Sequence, residues 1–421
     1  MYVADSGAAT EARGALRPGP RSVAIAPTVF ALGAVSLITD VSSEMITAVL
    51  PLYLVAGLGL SPLGFGLLDG VYNGFSAVVR LAGGHLADRG GRHKTVAAVG
   101  YGLSALCKPL LLAVHSLPLI GAVLAADRTG KGLRTAPRDA LISLSSAPSA
   151  HGRAFGVHRA MDTAGALFGP LVAFVILRQA AGGYDAVFMV SSCVAVTGVL
   201  VLLLFVPSRP AGGAAGRPGS APPVSLRSAL ALLRRRDLRR LAICALLLGL
   251  ATVSDSFVYL MIQHRFDVPV QWFALLPLGT AAGFLTLTVP LGRLADRLGR
   301  WPVFLGGHVA LLAAYGLLLL PSHHGALPYA VLALHGAFYA ATDGVLMAAA
   351  AATVPPDLRS SGLALVQTGQ AGARFACSLA FGAAWTAWGD HTALTATAVA
   401  LVACVACTAW LRPAEAGPAA T

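Results

Sequence analysis

Two short segments of the chain concentrate ionisable side chains within otherwise apolar sequence. In the first, TDVSSEM, Asp40 and Glu44 are four residues apart, so a helix presents both carboxylates on one face. Burial favours the protonated form of a carboxylate and a nearby cation favours the ionised form, so such a group binds and releases a proton as its surroundings change. Asp40 and Glu44 are therefore candidate proton-coupling residues.

The second segment, DRTGKGLR, places Asp127, Arg128, Lys131 and Arg134 within little more than two helical turns. Asp127 and Lys131 stand at positions i and i+4, and Arg128 and Lys131 share a face. Three interpretations remain open for these charges: a proton relay, a clamp on an anionic group of a ligand, and ion pairing with the carboxylates of the first segment. We group Asp127 and Arg128 with the proton-coupling candidates and Lys131 with the candidate substrate contacts.

Polar residues also recur at helical spacing in a third segment, which contains Asp69, Asn73, Ser76 and Arg80. A polar stripe on an apolar helix lines a water-filled cavity or packs against polar neighbours. We interpret Asp69 and Asn73 as substrate contacts, and the isolated His335 as a packing residue. In the C-terminal half, the candidate substrate contacts are Asp255, Tyr339, Gln370 and Arg374.

The elements that hold these residues must be membrane helices. Of the 421 residues, 56% are apolar and 11% are charged, whereas soluble domains carry about 25% charged residues. The mean hydropathy is +0.74. These values predict an all-α integral membrane protein. The formal net charge of +12 is explained by basic loops on one side of the membrane rather than by binding of nucleic acid.

Twelve apolar segments are long enough to cross a bilayer, which needs about 20 residues per helix. The first six are predicted at 27–56, 62–83, 95–115, 117–137, 157–178 and 185–206. The second six are predicted at 241–264, 270–291, 302–320, 326–352, 361–388 and 392–411. The predicted domains are a disordered tail (1–22), a six-helix bundle (23–206), a linker (207–238), a second six-helix bundle (239–412) and a C-terminal tail (413–421).

A repeat relates the two halves. The segment GHLADRGGR at Gly84–Arg92 returns as GRLADRLGR at Gly292–Arg300, each time between two apolar segments. Two pseudo-symmetric halves are what a carrier needs if its substrate site lies between two rocking bundles. Because Lys and Arg concentrate on the side of the termini, both termini and both repeat segments are predicted to be cytoplasmic, with the protein in the inner (plasma) membrane. The linker is predicted to form a short surface helix around Ser225–Leu233.

The two repeat segments resemble the loop signature of the major facilitator superfamily, and the resemblance extends over essentially the whole chain. The segment DTAGALFGP, with Gly165, Gly169 and Pro170, is similar to the Gly-Pro motif of the family's antiporters. TDVSSEM and DRTGKGLRTAPRDA together resemble a bacterial subgroup of efflux carriers similar to drug/proton antiporters. The resemblance implies a cytoplasmic gate formed by Asp88, Arg92, Asp296 and Arg300.

These observations predict a secondary carrier that moves protons inward and a small organic molecule outward, as multidrug-resistance carriers do. Its partners would be the substrate, protons and the lipid bilayer, with no metal or other cofactor, and it is expected to be a monomer. Phosphate-binding loops, metalloprotease motifs and nucleophile elbows are absent from the sequence, so an enzyme is not expected. Two alternatives remain: a proton-coupled or uniport carrier of an organic anion, and a transporter-like membrane sensor.

The substitution Asp88→Asn tests the implied gate. If Asp88 pairs with basic groups to hold the cytoplasmic side closed, its neutral form should shift the carrier toward the state that is open on that side. Accessibility of an engineered cytoplasmic cysteine to a membrane-impermeant reagent measures this shift. Unchanged accessibility together with full transport activity would show that the motif only sets the topology.

Overall fold

The computed structural model describes residues 26–73, 92–146, 150–180, 183–207, 232–322, 324–354 and 359–411. All regular structure in these ranges is helical, which confirms the predicted all-α class. The N-terminal helices are α1 (Pro27–Leu52), α2 (62–73), α3 (His93–Ala113), α4 (Leu117–Leu144), α5 (His151–Gln179) and α6 (Tyr184–Phe205). The C-terminal helices are α7 (Arg236–Leu250), α8 (Asp255–Phe266), α9 (Leu276–Leu298), α10 (Arg300–Leu319), α11 (Leu327–Thr353), α12 (Arg359–Trp388) and α13 (Asp390–Trp410).

Within the described ranges, nine helical segments are long and apolar enough to cross a bilayer, and α7 and α8 together form one of them. The other predicted spans are α4, which carries the DRTGKGLR segment, α12, and the span that begins with α2. The membrane prediction is confirmed, whereas twelve spans, two six-helix bundles and the domain boundaries stay predictions. Most of the predicted linker helix lies outside the described residues, and Leu232–Arg234 forms a 3-10 turn.

Glycine positions allow α5 to lie directly on α1. A Cβ atom added at Gly165 would lie 2.5 Å from the carbonyl oxygen of Leu37, and one at Gly169 would lie 2.7 Å from Cβ of Glu44. Close backbone approach at small residues is the usual way in which membrane helices associate. α1 also packs on α6, while α3 packs on α4 and α6. The acidic segment of α1 is thereby fixed against the glycines of α5.

The C-terminal half is built around α11, which packs on α9 and α10, while α12 packs on α7 and α13. Gly336 lets α11 approach α9, since a Cβ there would lie 2.6 Å from the carbonyl oxygen of Thr280. Each half therefore has its own set of helix contacts.

The predicted span 241–264 is interrupted, because α7 and α8 are separated by the sequence ATVS. Two of these residues are β-branched, which lowers helix propensity. The N–H of Val253 donates a hydrogen bond of 2.8 Å to the hydroxyl oxygen of Tyr315. The break leaves this N–H without a helical partner, and the tyrosine replaces that partner where water has no access. The break places the N-terminus of α8, which begins with Asp255, within a membrane span.

Side chains from both halves meet at the end of the helices opposite the chain termini. The rings of Phe65 on α2 and Phe257 on α8 are in edge-to-face contact, with centroids 4.9 Å apart. Phe174 near the end of α5 contacts Trp272 in the turn Val270–Phe273, at 5.1 Å between centroids. Aromatic packing thus joins the halves at this end of the molecule.

The second copy of the repeat forms the connection between α9 and α10. Gly299 has a φ of 95°, a left-handed conformation that glycine adopts without steric cost, and α10 begins at the next residue. Asp296 is exposed on α9, and Arg300 is exposed at the start of α10. Of the first copy, only Arg92 is described; it is exposed and directly precedes α3, whereas Asp88 lies outside the described residues.

The contact between α1 and α5 can be tested with two glycines of the same helix. Gly165→Ala should lower the thermal unfolding midpoint, because the new methyl group meets the backbone of Leu37, and overpacking costs about 1–3 kcal/mol. Gly156, which has no neighbour within 4 Å of an added Cβ, is the matched control. Gly156→Ala should keep or raise the midpoint, since alanine is favoured over glycine in a helix by about 0.5–1 kcal/mol. Equal midpoints for the two variants would contradict this packing.

Candidate functional site

Asp40 on α1 and Arg134 on α4 form an ion pair in the N-terminal half. Asp40 Oδ1 lies 3.5 Å from Arg134 Nη2, and the two side chains are 15% and 5% exposed. The guanidinium of Arg134 also lies over the ring of Tyr101 on α3, with Cζ 4.5 Å from the ring centroid. Ion pairing with α1, one of the interpretations left open for the charges of α4, is therefore observed for Arg134.

Arg128 is held by a neighbouring acid and by an aromatic ring. Its Nε lies 3.5 Å from Asp127 Oδ2, and its Cζ lies 3.4 Å from the centroid of Tyr72 on α2. Tyr72 is in turn hydrogen-bonded to Thr47 on α1, with 2.6 Å between the two hydroxyl oxygens. A cation over an aromatic face is attracted by the ring quadrupole, so this stack fixes the plane of the guanidinium.

Glu44 and Lys131 face the same region from α1 and α4. Glu44 is partly exposed, and its charge and that of Asp40 act on Lys131. Behind Glu44, Gly169 and Pro170 of α5 are buried. The predicted helix-five motif therefore positions a candidate proton-coupling carboxylate rather than contributing polar groups of its own.

A further ionic network links α1, α4 and α5 nearer the start of α1. Arg138 contacts Asp139 at 3.0 Å and Asp162 at 3.5 Å, and it donates a hydrogen bond of 3.3 Å to the Ser36 hydroxyl. Ser36 Oγ lies 2.9 Å from Nε2 of the buried His158. None of these residues was among the predicted site residues, because their pairing depends on which helices are neighbours in space.

Between α1, α2, α3 and α4 lies a small cavity. Its polar lining consists of Ser43, Tyr72, Lys108, Asp127 and Arg128. On the wall between α3 and α4, the Ser104 hydroxyl donates a hydrogen bond of 3.1 Å to the carbonyl oxygen of Asp127. The structure thus brings two predicted proton-coupling residues, Asp127 and Arg128, to one cavity.

The C-terminal half contains a second polar cluster around Asp255. Its Oδ1 accepts a hydrogen bond from the hydroxyl of Tyr339 and lies 3.5 Å from Nε2 of His335. His335 is fully buried, and its Nδ1 lies 3.4 Å from the hydroxyl oxygen of Thr280. Tyr259 donates a hydrogen bond of 3.0 Å to that same oxygen. The interpretation of His335 as a packing residue missed this contact with a carboxylate.

A second cavity lies beside this cluster. Three predicted substrate contacts line it, namely Tyr339, Gln370 and Arg374, and Asp343 contributes a further acid. The guanidinium carbon of Arg374 lies 6.0 Å from the centroid of the Tyr339 ring. These three predicted residues are therefore brought together, and Asp255 joins them through Tyr339.

Asp69 lies at the contact between the two halves. It is 5% exposed, and its Oδ2 accepts a hydrogen bond of 2.7 Å from the hydroxyl of Ser378 on α12. Oδ1 accepts a hydrogen bond of 3.1 Å from Asn73, whose side-chain amide also reaches the carbonyl oxygen of Asp69. In this conformation Asp69 bridges α2 and α12 instead of lining either cavity.

In the described part of the chain, no group of at least three His, Cys, Asp or Glu side chains is arranged to hold a metal ion. Paired charges and two polar cavities inside a helical membrane protein are features of a small-molecule transporter. The sequence matches the Major Facilitator Superfamily model over residues 32–377 and 279–421. The chain belongs to this family and is a multi-pass membrane transporter that binds a small-molecule substrate.

Similar proteins agree with this assignment. The chain is 29% identical over 354 residues to an uncharacterized MFS-type transporter of Methanocaldococcus jannaschii, an alignment that covers 82% of this chain and 85% of the relative. The fold is similar to the crystal structure of the nucleoside transporter NupG, with a TM-score of 0.78 and 15% identity, covering 92% and 100% of the two chains. A bacterial homolog of the human lysosomal transporter Spinster, in an inward-facing and unoccupied conformation, matches with a TM-score of 0.73 and 15% identity over 91% and 96%.

The ion pair between Asp40 and Arg134 should behave as a coupled unit. Arg134→Met leaves the carboxylate of Asp40 without its partner and should lower the unfolding midpoint. The free energy of unfolding should fall by about 1–3 kcal/mol. Asp40→Asn combined with Arg134→Met should recover part of this loss, because neither residue then carries a charge. Arg297→Met on exposed α9 surface is the control and should change little. Additive losses in the double variant would argue against the pair.

Proposed function

We propose that the protein exports a small organic molecule in exchange for protons, by alternating access between two six-helix bundles with twelve membrane spans in total. The observation that carries this proposal is the cluster of buried, paired charges between α1 and α4. Ionisable residues at membrane depth are expensive and typically mark proton or substrate pathways. A carboxylate that can exchange its cationic partner for a proton is the element that proton coupling requires.

The length of the helices supports twelve spans. α4 has 28 residues, which corresponds to a rise of about 42 Å and exceeds the hydrocarbon thickness of about 30 Å despite the charges it carries. α12 has 30 residues and is long enough on the same measure. The predicted span 62–83 begins with α2.

Contacts between the halves support alternating access. They include the hydrogen bond from Ser378 to Asp69 and the contact between Phe65 and Phe257, toward the end opposite the termini. If the termini are cytoplasmic, as the distribution of Lys and Arg predicts, this conformation is closed to the outside. Opening that side during export requires these contacts to separate.

Proton coupling is assigned to Asp40, Glu44, Asp127 and Arg128. Glu44 is the leading proton acceptor because it is partly exposed and is held against Gly169 rather than hydrogen-bonded to a fixed partner among the described residues. Glu44 faces the same region as Lys131, so neutralisation of this carboxylate would change the charge balance around Lys131. This change in charge next to α5 would then alter the packing contact between α1 and α5.

Substrate contacts are assigned to both halves, as a site between rocking bundles requires. The C-terminal cavity provides Tyr339, Gln370 and Arg374, with Asp255 beside them. Lys131, Asn73 and Asp69 are the candidates from the N-terminal half, Asp69 becoming available when the halves separate. The cytoplasmic gate is assigned to Asp88, Arg92, Asp296 and Arg300, and the carrier is proposed to act as a monomer in the plasma membrane.

A second candidate function is the transport of an organic anion, coupled to protons or as a uniport. The observation that favours it is the presence of Lys108 and Arg128 in one small cavity with a single acid, Asp127. The direction of transport distinguishes the two candidates, because in export by antiport the substrate and the proton cross the membrane in opposite directions.

The variant Glu44→Gln tests the coupling assignment. A thermal-shift screen of the purified protein first identifies a ligand, and inside-out vesicles with an acidic interior then measure its accumulation. We expect Glu44→Gln to keep ligand binding but to lose proton-driven accumulation, because the amide cannot take up a proton. Asp237→Asn, an exposed acid at the start of α7, is the control and should transport normally. Wild-type accumulation by Glu44→Gln at every pH would remove this residue from the mechanism.

A further inference from the structure

Lys108 on α3 is a buried cation without a direct partner. Its side chain is 4% exposed, and it lines the N-terminal cavity. Within the described residues, its ammonium group makes no ion pair and no hydrogen bond, although the charge of Asp127 acts on it. An ammonium group removed from water is costly unless it is paired, so an anionic ligand group at this position would stabilise the charged form of Lys108.

Arg128 faces the same cavity and is also incompletely paired. It is 7% exposed, and its Nε reaches Asp127 only at 3.5 Å, without a hydrogen bond. The stack on Tyr72 fixes the guanidinium plane, and no described residue accepts a hydrogen bond from its terminal nitrogens. A planar guanidinium with free N–H groups is suited to bind a carboxylate or a phosphate through two parallel hydrogen bonds.

The two acids of α1 near this region do not line the cavity. Asp40 pairs with Arg134, and the charge of Glu44 acts on Lys131. Asp127 therefore stands alone against the two cations of the cavity, Lys108 and Arg128. When all three groups are ionised, the lining carries two cations and one carboxylate, and an anionic ligand group would balance the difference.

The remaining wall of the cavity is apolar. Ile46 from α1, Leu111 from α3 and Leu124 from α4 line it beside the two cations. In this conformation the cavity has room for about one water molecule, so a larger group binds there only when the surrounding helices move apart during the cycle. Small inorganic ions would leave this apolar wall without contacts.

We propose that Lys108 and Arg128 bind the anionic group, a carboxylate or a phosphate, of the transported molecule, and that the aliphatic wall contacts the apolar part next to that group. The inference rests on the proposed transport function, because the cavity must be reached by substrate during the cycle. It adds Lys108 to the substrate-binding residues and defines the substrate as an organic anion. Arg128 orients the group, and Lys108 supplies the second, freely directed charge.

The test uses the full-length purified protein and small probes. Benzoate and its neutral analogue benzamide have nearly the same shape, so a difference between their thermal shifts reports recognition of the charge, and inorganic phosphate tests a tetrahedral anion. We expect benzoate, but not benzamide, to stabilise the wild type, and we expect a smaller stabilisation by phosphate, which does not contact the aliphatic wall. Lys108→Gln should weaken anion binding at least tenfold, whereas Lys108→Arg should retain it. Lys94→Gln, which removes a lysine outside the cavity that donates to the carbonyl oxygen of Leu203, should bind as the wild type does.

Three outcomes would overturn the site: equal stabilisation by benzoate and benzamide, equal anion affinity in Lys108→Gln and the wild type, or no stabilisation by any anion. The variant Lys108→Met keeps the comparison valid if the glutamine variant does not fold, because its side chain is unbranched and apolar, carries no charge and is one atom shorter than that of lysine. The outcome is separable from that of the coupling proposal. Anion binding without proton movement would support this site and exclude the proposed antiport. Proton-driven export of a neutral or cationic molecule would support the antiport and exclude this site.

Discussion

An ionised side chain inside a membrane needs a partner, and the N-terminal half is arranged around this requirement. α4 places several cations beside the acids of α1, and α1 is held in place by its close contact with α5. Gly165 and Gly169 make that contact possible. In a buried ion pair, the attraction between the charges largely offsets the cost of their desolvation. Such pairs are therefore suited to exchange partners with a proton or a substrate at little net cost.

The C-terminal half meets the same requirement with fewer charges and a broken helix. The N-terminus of a helix carries a partial positive charge, and the interruption between α7 and α8 places such an end beside the carboxylate of Asp255. Tyr339 and His335 complete its surroundings, and Arg374 lies across the adjoining cavity. The two halves thus share a repeated sequence motif but hold their intramembrane charges by different means.

The sequence was informative where one helix alone determines the answer. Apolar length predicted the membrane helices, because every span crosses the same thickness, and helical spacing predicted that Asp40 and Glu44 share a face. Contacts between distant helices leave no periodic signal, so the hydrogen bond from Ser378 to Asp69 and the contact of His335 with Asp255 could not be predicted. The interruption of span 241–264 was also missed, because ATVS does not lower hydropathy enough to separate two helices.

The position of α2 has a further consequence, because Asp69 and Tyr72 are one helical turn apart. The first is hydrogen-bonded across the interface between the halves, and the second covers the guanidinium of Arg128. If this turn of α2 moves as a rigid unit when the halves separate, both contacts change in the same step. Separation of the halves and uncovering of the cation would then be thermodynamically linked, and by reciprocity a ligand that displaces the tyrosine would weaken the hydrogen bond at the interface. One turn of α2 would thus link ligand binding in the N-terminal cavity to opening of the end of the molecule opposite the chain termini.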